Sequence, residues 1–403
     1  MLICEVCDER LNGPKLDLGF YPLCDDLFDD DQSIYAEKYH QEIQLCKNCL
    51  TAHQLHPVKK ELLFKPSYHY RSSLTNDVVS GMGELVNSVL KFGEFDQSTG
   101  ICVLDIGCND GSLLSEFSKK INTFSIGVDP TDSVTQNSAK LNAAYQEFFT
   151  RESAMKIRNN HGFPDVITFT NVFAHIEDLN ELLQALKILI GPSTIVVIEN
   201  HYLGSILDRN QFDTFYHEHP RTYSAESFVH IARKLELNLN LFEFPKRYGG
   251  NIRVILSRSR NKISKNELPK EEIFTSRFAE LQSIFNEWVS NSATVLKSLL
   301  LDGPILGKSL PGRAVMLIEA LKINDAQMPI IYERENSPKV GFFVPGTKIR
   351  IDSDLNFKVA DAKRIIVWAW HISEEICDYL ESIGFKGEVW VPLPEFRLYK
   401  KIE

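Results

Sequence analysis

The stretch Val103-Leu-Asp-Ile-Gly-Cys-Asn-Asp-Gly111 decides how the central part of the chain folds. Its apolar start predicts a buried strand, and its two glycines predict a turn that leads into a helix. A second strand-like run follows at 124–128 and ends in Asp129. N–H groups at a helix start attract an anionic group, and an acid after the second strand can accept hydrogen bonds from two ribose hydroxyls. The stretch therefore predicts an α/β unit with a nucleoside site at its first turn.

The spacing of this loop predicts S-adenosylmethionine as the ligand. Gly-x-x-x-Gly after an acid differs from the Gly-x-Gly-x-x-Gly pattern of dinucleotide sites. A nucleoside that carries a carboxylate would satisfy both the helix start and the acid. The residues that we expect to hold it are Asp105, Gly107, Asn109, Gly111, Asp129 and Asn171. A purely structural turn and an NAD site are the alternatives that the loop leaves open.

Four of the eight cysteines form two Cys-x-x-Cys pairs near the N-terminus, Cys4 with Cys7 and Cys46 with Cys49. Each pair can place two thiolates on one edge of a zinc ion, and two pairs complete a tetrahedron. Such a site has no open position for substrate, so we expect one structural zinc that stabilises a segment too small for its own core. Four buried free cysteines, or a redox pair, are the alternatives.

Strand-like and helix-like runs alternate on both sides of the glycine loop, which is typical of a doubly wound α/β sheet. The clearest strand runs of this part are 101–105, 165–169 and 195–199, and a clear helical run lies at 179–190. A polar stretch at 257–269 then predicts a boundary between domains. A long helical segment follows at 271–301, and further strand runs lie at 330–332, 364–368 and 388–391. We therefore predict an α/β protein with a small zinc-binding domain at 1–67, a class I methyltransferase Rossmann-like core at 68–257 and a second Rossmann-like domain at 258–403.

The composition of the 403 residues excludes several classes of protein. With 43% hydrophobic and 24% charged residues, the chain is neither disordered nor collagen-like. The net charge of −10 argues against nucleic acid as a partner, and so against a zinc ribbon that binds it. No apolar run reaches the roughly 18 residues that a membrane span needs. The N-terminus lacks the basic and apolar regions of a signal peptide, so we expect a soluble, cytoplasmic protein without membrane association.

Side chains that can move protons follow two of the predicted strands. Asn171 and His175 come after the run at 165–169, and the string Phe212-Asp-Thr-Phe-Tyr-His-Glu-His219 lies beyond the run at 195–199. Ligands of open α/β sheets bind at the carboxyl ends of strands, and a histidine of ordinary pKa is mostly neutral at pH 7 and ready to accept a proton. We expect these groups to line a reactive cleft, although each histidine alone is equally compatible with a capping or packing role.

Several segments together match a known pattern: the two cysteine pairs, Ser67–Ser73, Val103–Gly111, Asn171–Asp178, Phe212–His219, Tyr248–Val254 and Lys339–Thr347. Along nearly its whole length the chain thereby resembles the three-domain nucleotide-sugar C-methyltransferases, typified by the sugar 3-C-methyltransferases of deoxysugar and antibiotic pathways. The strings Tyr216-His-Glu-His219 and Pro345-Gly-Thr347 are the most specific parts of this resemblance.

The resemblance implies a zinc domain over a central methyltransferase domain, and a Rossmann-like C-terminal domain that helps to bind a sugar nucleotide. The base that it implies is His219, and the residues lining the sugar pocket are Glu218, Tyr216, Asn171, His175 and Tyr70. In the implied reaction a 4-keto group acidifies the neighbouring C3–H, and the base removes that proton. The enolate carbon then takes the methyl group while pocket donors stabilise the charge on the C4 oxygen. The implied partner is a nucleotide sugar, and the oligomeric state stays open.

Two places depart from the family pattern. After the expected base the chain reads Pro220-Arg221-Thr-Tyr223, where better-known members carry an apolar and a hydroxyl residue before the aromatic. Arg221 adds a cation that could bind phosphate or carboxylate. The first loop of the third domain, Lys308-Ser-Leu-Pro-Gly-Arg313, is also unlike the common glycine- and alanine-rich form. An O- or N-methyltransferase for another sugar or phosphorylated acceptor, and a non-catalytic zinc-bearing scaffold, therefore remain as alternatives.

Overall fold

The computed structural model describes residues 2–66, 72, 76–96, 98–258 and 262–403. Its strands form three sheets, which confirms the predicted α/β class with a small N-terminal unit and two Rossmann-like units. The strands are β1 (Lys15–Pro22), β2 (Lys38–Leu45), β3 (Ala52–Gln54), β4 (Ile101–Ile106), β5 (Thr123–Val128), β6 (Ala143–Tyr145), β7 (Val166–Thr170), β8 (Ile195–His201), β9 (Arg221–Thr222), β10 (Asn238–Glu243), β11 (Asn251–Ser257), β12 (Leu306–Lys308), β13 (Ile330–Glu333), β14 (Arg350–Ser353), β15 (Arg364–Val367), β16 (Gly387–Val391) and β17 (Arg397–Ile402). The α-helices are α1 (Lys60–Leu63), α2 (Asn76–Gly93), α3 (Ser112–Ser118), α4 (Ser133–Gln136), α5 (Arg151–His161), α6 (Leu179–Leu189), α7 (Leu203–Arg209), α8 (Ala225–Lys234), α9 (Phe274–Leu299), α10 (Ala314–Ala320) and α11 (Ser373–Ser382).

The central sheet has the strand order β10-β11-β8-β7-β4-β5-β6. Its strands are parallel except β11, which runs antiparallel to both β8 and β10. Alternate residues of β4 belong to two apolar clusters: Val103 packs with α2 and α3, whereas Leu104 packs on the side of α5 and α6. Because β4 lies between β5 and β7, its carboxyl end opens where the strand order reverses, which is where such sheets bind ligands.

The C-terminal sheet repeats this architecture with the order β14-β13-β12-β15-β16-β17. The first five strands are parallel and β17 is antiparallel to β16. Its strand order reverses between β12 and β15, so the loops that follow these two strands face one crevice. Those loops carry Arg313 and His371.

The N-terminal sheet takes its last strand from the middle of the chain. Its order is β1-β2-β3-β9, and β9 pairs Thr222 with Ala52 and Arg221 with His53. The N–H of Gln54 donates to the carbonyl of Pro220 at 2.9 Å. A proline is tolerated next to an edge strand because its missing N–H is not needed there. The segment directly after His219 is thereby fixed to the cysteine-bearing unit.

A buried charge cluster ties β8 to β11. Glu199 in β8 is completely buried and pairs with Arg247, and at 2.7 Å with Nε of Arg253. The side-chain amide of Asn251 donates to the same carboxylate at 3.1 Å. A lone carboxylate in this position would be costly to bury, but two guanidinium groups compensate its charge. The cluster fixes residues 247–253 against the carboxyl end of β8.

The longest of the described helices is α9, with 26 residues. Neither α9 nor any other described helix combines the length and apolar composition needed to cross a membrane.

Replacing Gly250 by alanine should destabilise the fold more than the same change at Gly303. Gly250 has a φ of +122°, and an added Cβ would lie 2.6 Å from Cβ of Ser205 and overlap its hydroxyl. Gly303 has a φ of +109° but no atom within 4 Å of the added Cβ, so it carries the backbone penalty alone. We expect Gly250→Ala to cost about 1–3 kcal/mol beyond the control in chemical denaturation. Equal losses in the two variants would contradict the close approach of α7 to this turn.

Candidate functional site

The four cysteine sulfurs of the N-terminal unit converge on one point. The Sγ atoms of Cys4, Cys7, Cys46 and Cys49 all lie within 4.8 Å of one another. The separation is 3.5 Å between Cys4 and Cys49 and 3.5 Å between Cys7 and Cys46. A tetrahedral zinc with Zn–S bonds of about 2.3 Å requires sulfurs roughly 3.8 Å apart. The cluster therefore has the dimensions of a zinc site with four thiolate ligands.

Both cysteine pairs lie on the same kind of tight turn. The N–H of Asp8 donates to the carbonyl of Cys4 at 2.8 Å, and the N–H of Leu50 donates to the carbonyl of Cys46 at 2.9 Å. Asp8 and Leu50 have φ values of +63° and +54°, which is the left-handed conformation that reverses the chain after each pair. The matching geometry makes the two pairs equivalent halves of one site.

The second cysteine turn is docked on the N-terminus of α8. The carbonyl of Cys49 accepts hydrogen bonds from the hydroxyls of Ser224 and Ser227, each at 3.1 Å. The hydroxyl of Thr51 donates to that of Ser227 at 2.7 Å. Ser224 and Ser227 also form the capping box of α8. The cysteine cluster is thus joined to the helix that follows β9.

Arg221 does not have the role expected from the sequence. It is 3% exposed, pairs with Glu5 and donates to the carbonyl of Ile176, while its Nε donates to the hydroxyl of Tyr223 at 3.2 Å. These contacts join the cysteine unit to the loop after β7. The interpretation of Arg221 as a ligand for phosphate or carboxylate is therefore wrong, because a partner 216 residues away in the sequence neutralises it.

The loop after β4 forms a cradle beside the end of β5. Gly107 and Gly111 have φ values of +73° and +74°, and a side chain at Gly107 would overlap Val172. Asn109 is also left-handed, with φ +50°, and its N–H donates to Oδ2 of Asp129 at 2.9 Å. The buried carboxylate of Asp129 therefore holds the loop against β5. Gly107, Asn109, Gly111 and Asp129, which the sequence predicts to bind S-adenosylmethionine, thus lie together at one edge of the sheet.

Asp105 lies at the end of β4, beside this loop. Burial raises the pKa of its carboxyl to about 7, a 2.6 Å hydrogen bond from Thr168 opposes the shift, and the charge of Asp129 adds to it. A cation nearby would favour the ionised form. The carboxyl group is therefore suited to lie next to a positively charged ligand.

The histidine pair formed by His219 and His175 has a defined hydrogen-bond direction. Nδ1 of His219 lies 2.9 Å from the carbonyl oxygen of Thr214, which can only accept, so this nitrogen carries the proton. Nε2 of His219 is then the basic atom, and it lies 3.1 Å from Nε2 of His175, which must donate. The backbone thus selects the tautomer of His219.

Burial lowers the pKa of His219 to about 4, the nearby charge of Arg313 also lowers it, and the Thr214 carbonyl opposes the shift. This value differs from the ordinary pKa expected from the sequence, because the side chain is only 4% exposed. Burial likewise lowers the pKa of His175, whose ring stacks between those of Phe64 and His219. Both imidazoles are therefore neutral at pH 7.

Asn171 lies where the ends of β7, β8 and β11 meet. Its φ is +55°, its N–H donates to the carbonyl of Glu199 at 2.7 Å, and its Oδ1 accepts from the side chain of Asn251 at 3.1 Å. The left-handed conformation is one that asparagine tolerates better than most residues. Asn171 therefore has a fixed orientation at the carboxyl end of β7.

The other residues of the string around His219 point in different directions. The ring of Tyr216 lies 4.4 Å from that of His219, and burial followed by the charge of Glu218 raises the pKa of Tyr216 well above its ordinary value. His217 faces the N-terminal unit, with Nε2 3.3 Å from the carbonyl of Tyr39. Both ring nitrogens of His219 have partners other than Glu218. Tyr70 lies outside the described residues.

Three further side chains that sequence reasoning missed reach this cluster. The ring of His201 lies 5.2 Å from that of His219, and its buried Nδ1 has no hydrogen-bond partner among the described residues. From the C-terminal unit, Arg313 pairs with Asp213 at 3.3 Å and donates to Nδ1 of His371 at 2.8 Å. His201 is the last residue of β8, and Arg313 and His371 follow β12 and β15, so a position at the carboxyl end of a strand is the signal that could have identified them.

The family models that match this chain agree with this arrangement. The family model of a methyltransferase domain matches residues 81–240, and that of a C-methyltransferase C-terminal domain matches residues 246–394. Among solved structures, a CurJ carbon methyltransferase is 17% identical with a TM-score of 0.37, over 50% of this chain and 62% of that chain. The PH0226 protein of Pyrococcus horikoshii OT3 is 13% identical with a TM-score of 0.34, over 50% of this chain and 100% of that chain.

One curated relative matches across the whole chain. The C-methyltransferase NovU of Streptomyces niveus is 24% identical over 409 residues, which cover 98% of this chain and 96% of NovU. The two family matches follow each other along the chain in the positions of the central and C-terminal sheets. The chain therefore belongs to the S-adenosylmethionine-dependent methyltransferases, as a C-methyltransferase with a methyltransferase domain and a C-methyltransferase C-terminal domain.

Proposed function

We propose that this methyltransferase acts on a nucleotide-linked 4-keto deoxysugar and methylates its carbon 3, with His219 as the general base. The observation that carries the proposal is the hydrogen bond from Nδ1 of His219 to the Thr214 carbonyl, which leaves Nε2 basic beside the strand ends. The sugar class rests on the resemblance of Asn171–Asp178 and Phe212–His219 to the nucleotide-sugar C-methyltransferases.

In the proposed step, Nε2 of His219 removes the proton from C3, which the neighbouring ketone has acidified. The N–H of His175 donates to this lone pair at 3.1 Å, so the acceptor has to displace it. The released N–H can then donate to the oxygen that becomes negatively charged. A low pKa keeps His219 neutral before the step, and an anionic diphosphate bound nearby would raise that pKa and strengthen the base.

S-adenosylmethionine, when bound, supplies an electrophilic methyl group. We propose that Gly107, Asn109 and Gly111 bring the backbone close to it, with Asp129 as acceptor for its ribose hydroxyls. Asp105 would lie near its positive charge, where the carboxyl would become ionised. Asn171, between the two halves of the cleft, would contact both ligands. These groups all lie at the carboxyl ends of β4, β5 and β7.

We propose a structural zinc at Cys4, Cys7, Cys46 and Cys49. Four thiolates would close the coordination sphere, so the ion would take no part in the reaction. Its effect on the cleft would pass through β3 and β9, because the 46–49 turn is continuous with β3. Division of the chain into domains at 1–67, 68–257 and 258–403 suits these roles. In this division β9 belongs to the second domain and forms the last strand of the sheet of the first.

Oxygen or nitrogen methylation could use the same base on a hydroxyl or an ammonium group. The C-methyltransferase C-terminal domain favours carbon. A non-catalytic scaffold is disfavoured because the glycine loop, Asp129 and His219 are all present and oriented.

Purified protein should contain about one zinc per chain, as expected for one closed four-cysteine site. Cys46→Ser should remove the metal and lower the thermal midpoint, because metal binding at such sites contributes directly to folding. Elemental analysis and thermal unfolding measure both effects. Cys102→Ser, in β4 and away from the cluster, serves as the control and should keep the zinc. Full metal content in Cys46→Ser would remove the assignment.

Asp129→Ala should weaken S-adenosylmethionine binding by about 1–3 kcal/mol, the usual cost of losing charge-assisted hydrogen bonds. Isothermal titration calorimetry with the donor alone measures this without any acceptor. Asp132→Ala is the matched control, because its carboxylate accepts from Gln146 instead of facing the glycine loop. If both variants bind the donor as the wild type does, the ribose contact lies elsewhere.

His219→Gln should still bind both substrates but turn over about 10²–10⁴-fold more slowly, the usual cost of losing a general base. His217→Gln, the neighbouring histidine that faces Tyr39, is the control and should retain most of the activity. Because burial lowers the pKa of His219 to about 4, wild-type kcat/KM should stay high as the pH falls through 6.5 and decline only as the pH approaches 4. A normal rate in His219→Gln, with a panel of 4-keto nucleotide sugars as acceptors, would contradict the assignment.

A further inference from the structure

We infer that Arg313 of the C-terminal domain is a positioning residue for the base, and that it acts through the turn at residues 212–214. The inference rests on the proposed function for the role of His219, but its geometry is independent of it. It makes the C-terminal domain part of the proton-transfer apparatus in addition to any contribution to acceptor binding.

Arg313 is anchored to the turn at two points. It is 6% exposed, its Nε lies 3.3 Å from Oδ2 of Asp213, and its Nη1 donates to Oγ1 of Thr214 at 3.2 Å. Trp370 reinforces the contact, because its Nε1 donates to Oδ2 of Asp213 at 2.8 Å. The Asp213 side chain is 1% exposed, so this interdomain cluster is shielded from solvent.

Thr214 connects this cluster to the base. Its side chain accepts from Arg313, and its carbonyl accepts from Nδ1–H of His219. Movement of the turn would therefore change both the orientation of the imidazole and its tautomer. Catalytic groups must be held within about 0.5 Å and 10–20° of their productive geometry, and a misplacement of about 1 Å can cost roughly a hundredfold in rate. The C-terminal domain thus orients His219 through the intervening turn.

The charge of Arg313 helps to keep His219 neutral, in addition to the contacts that orient it. Within the part of the chain that the structure describes, the other groups shown to face His219 are the neutral side chains of His175, His201 and Tyr216 and the Thr214 carbonyl. Arg313 is thus a nearby cation that disfavours the imidazolium form, after the larger effect of burial. Asp213 offsets part of this cation, although burial raises the pKa of Asp213 as well.

The three guanidinium nitrogens already have protein partners, since Nη2 donates to Nδ1 of His371. A positioning role depends on these three bonds, whereas direct binding of the acceptor would use the remaining N–H groups of Nη1 and Nη2. Lysine could keep the charge at this position but could not span three partners with a planar fork. Charge and geometry can therefore be tested separately.

The test is the protonation state of His219, read from ¹⁵N shifts of ¹⁵N-histidine-labelled protein. The His219 signals are assigned by their absence in His219→Gln. In the wild type we expect a proton on Nδ1 and a pKa well below 6.5. In Arg313→Gln we expect a mixture of tautomers, a pKa raised by about half a unit or more, and kcat reduced roughly ten- to a hundredfold. Arg313→Lys should keep the low pKa and still lose kcat.

Arg277→Gln is the matched control. Arg277 also links the C-terminal part to the central domain, through the carbonyl of Leu207 at 2.8 Å, but has no contact with the 212–214 turn among the described residues. It should leave the His219 signals and kcat unchanged. Donor affinity measured by calorimetry should stay at the wild-type value in every variant, which confirms that the central domain is folded.

An unchanged tautomer and pKa in Arg313→Gln would overturn the inference, and a fall in kcat alone would then assign Arg313 to the acceptor. If Arg313→Gln does not fold, Thr214→Val carries the test, because it removes only the hydroxyl that Arg313 contacts. An undisturbed His219 tautomer in Thr214→Val would also overturn the inference. Activity in His219→Gln would contradict the proposed role of His219 as the base, but it would leave the ¹⁵N signals of His219 in the wild type and in Arg313→Gln unchanged. Failure of the proposed function can therefore be distinguished from failure of this inference.

Discussion

The attachment of residues 212–222 from two sides is the constraint on which the cleft depends. On one side, β9 pairs with β3 of the cysteine-bearing unit, and the Pro220 carbonyl accepts from Gln54. On the other side, Arg313 and Trp370 hold Asp213. His219 lies between these attachments and contributes little to either. Its position therefore results from the docking of two domains onto the central one.

This arrangement explains why a small N-terminal unit accompanies the methyltransferase domain. The cysteine cluster lies far from His219 in the sequence. The Cys49 carbonyl nevertheless accepts hydrogen bonds from two serines at the N-terminus of α8, and the chain continues from Cys49 into β3. The cleft itself contains neutral polar groups, since burial lowers the pKa of His175, His201, His219 and His371. Uncharged donors and acceptors in a shielded site can stabilise a developing oxyanion without repelling an anionic substrate.

The sequence predicts the parts of this account that have a local signature. The alternating runs gave β4, β7, β8 and α6, and the paired spacing identified the four cysteines that converge. The Thr214 carbonyl has no such signature, because every residue carries a carbonyl group. Arg221 was misread because its partner Glu5 comes from the other end of the chain, and local sequence does not reveal such a contact. The pKa of His219 also differs from the expected one, because the burial of its side chain is not visible in the string around it.

Removal of a proton from carbon by His219 can be tested without methyl transfer, by exchange of the C3 hydrogen of the sugar with solvent deuterium. The protein is incubated in D₂O with a 4-keto nucleotide sugar and S-adenosylhomocysteine, which has no methyl group to donate. We expect the wild type to incorporate deuterium at C3 and His219→Gln not to do so, while both bind the sugar. Exchange at equal rates in the two proteins, or none in a wild type that methylates the same sugar, would contradict it.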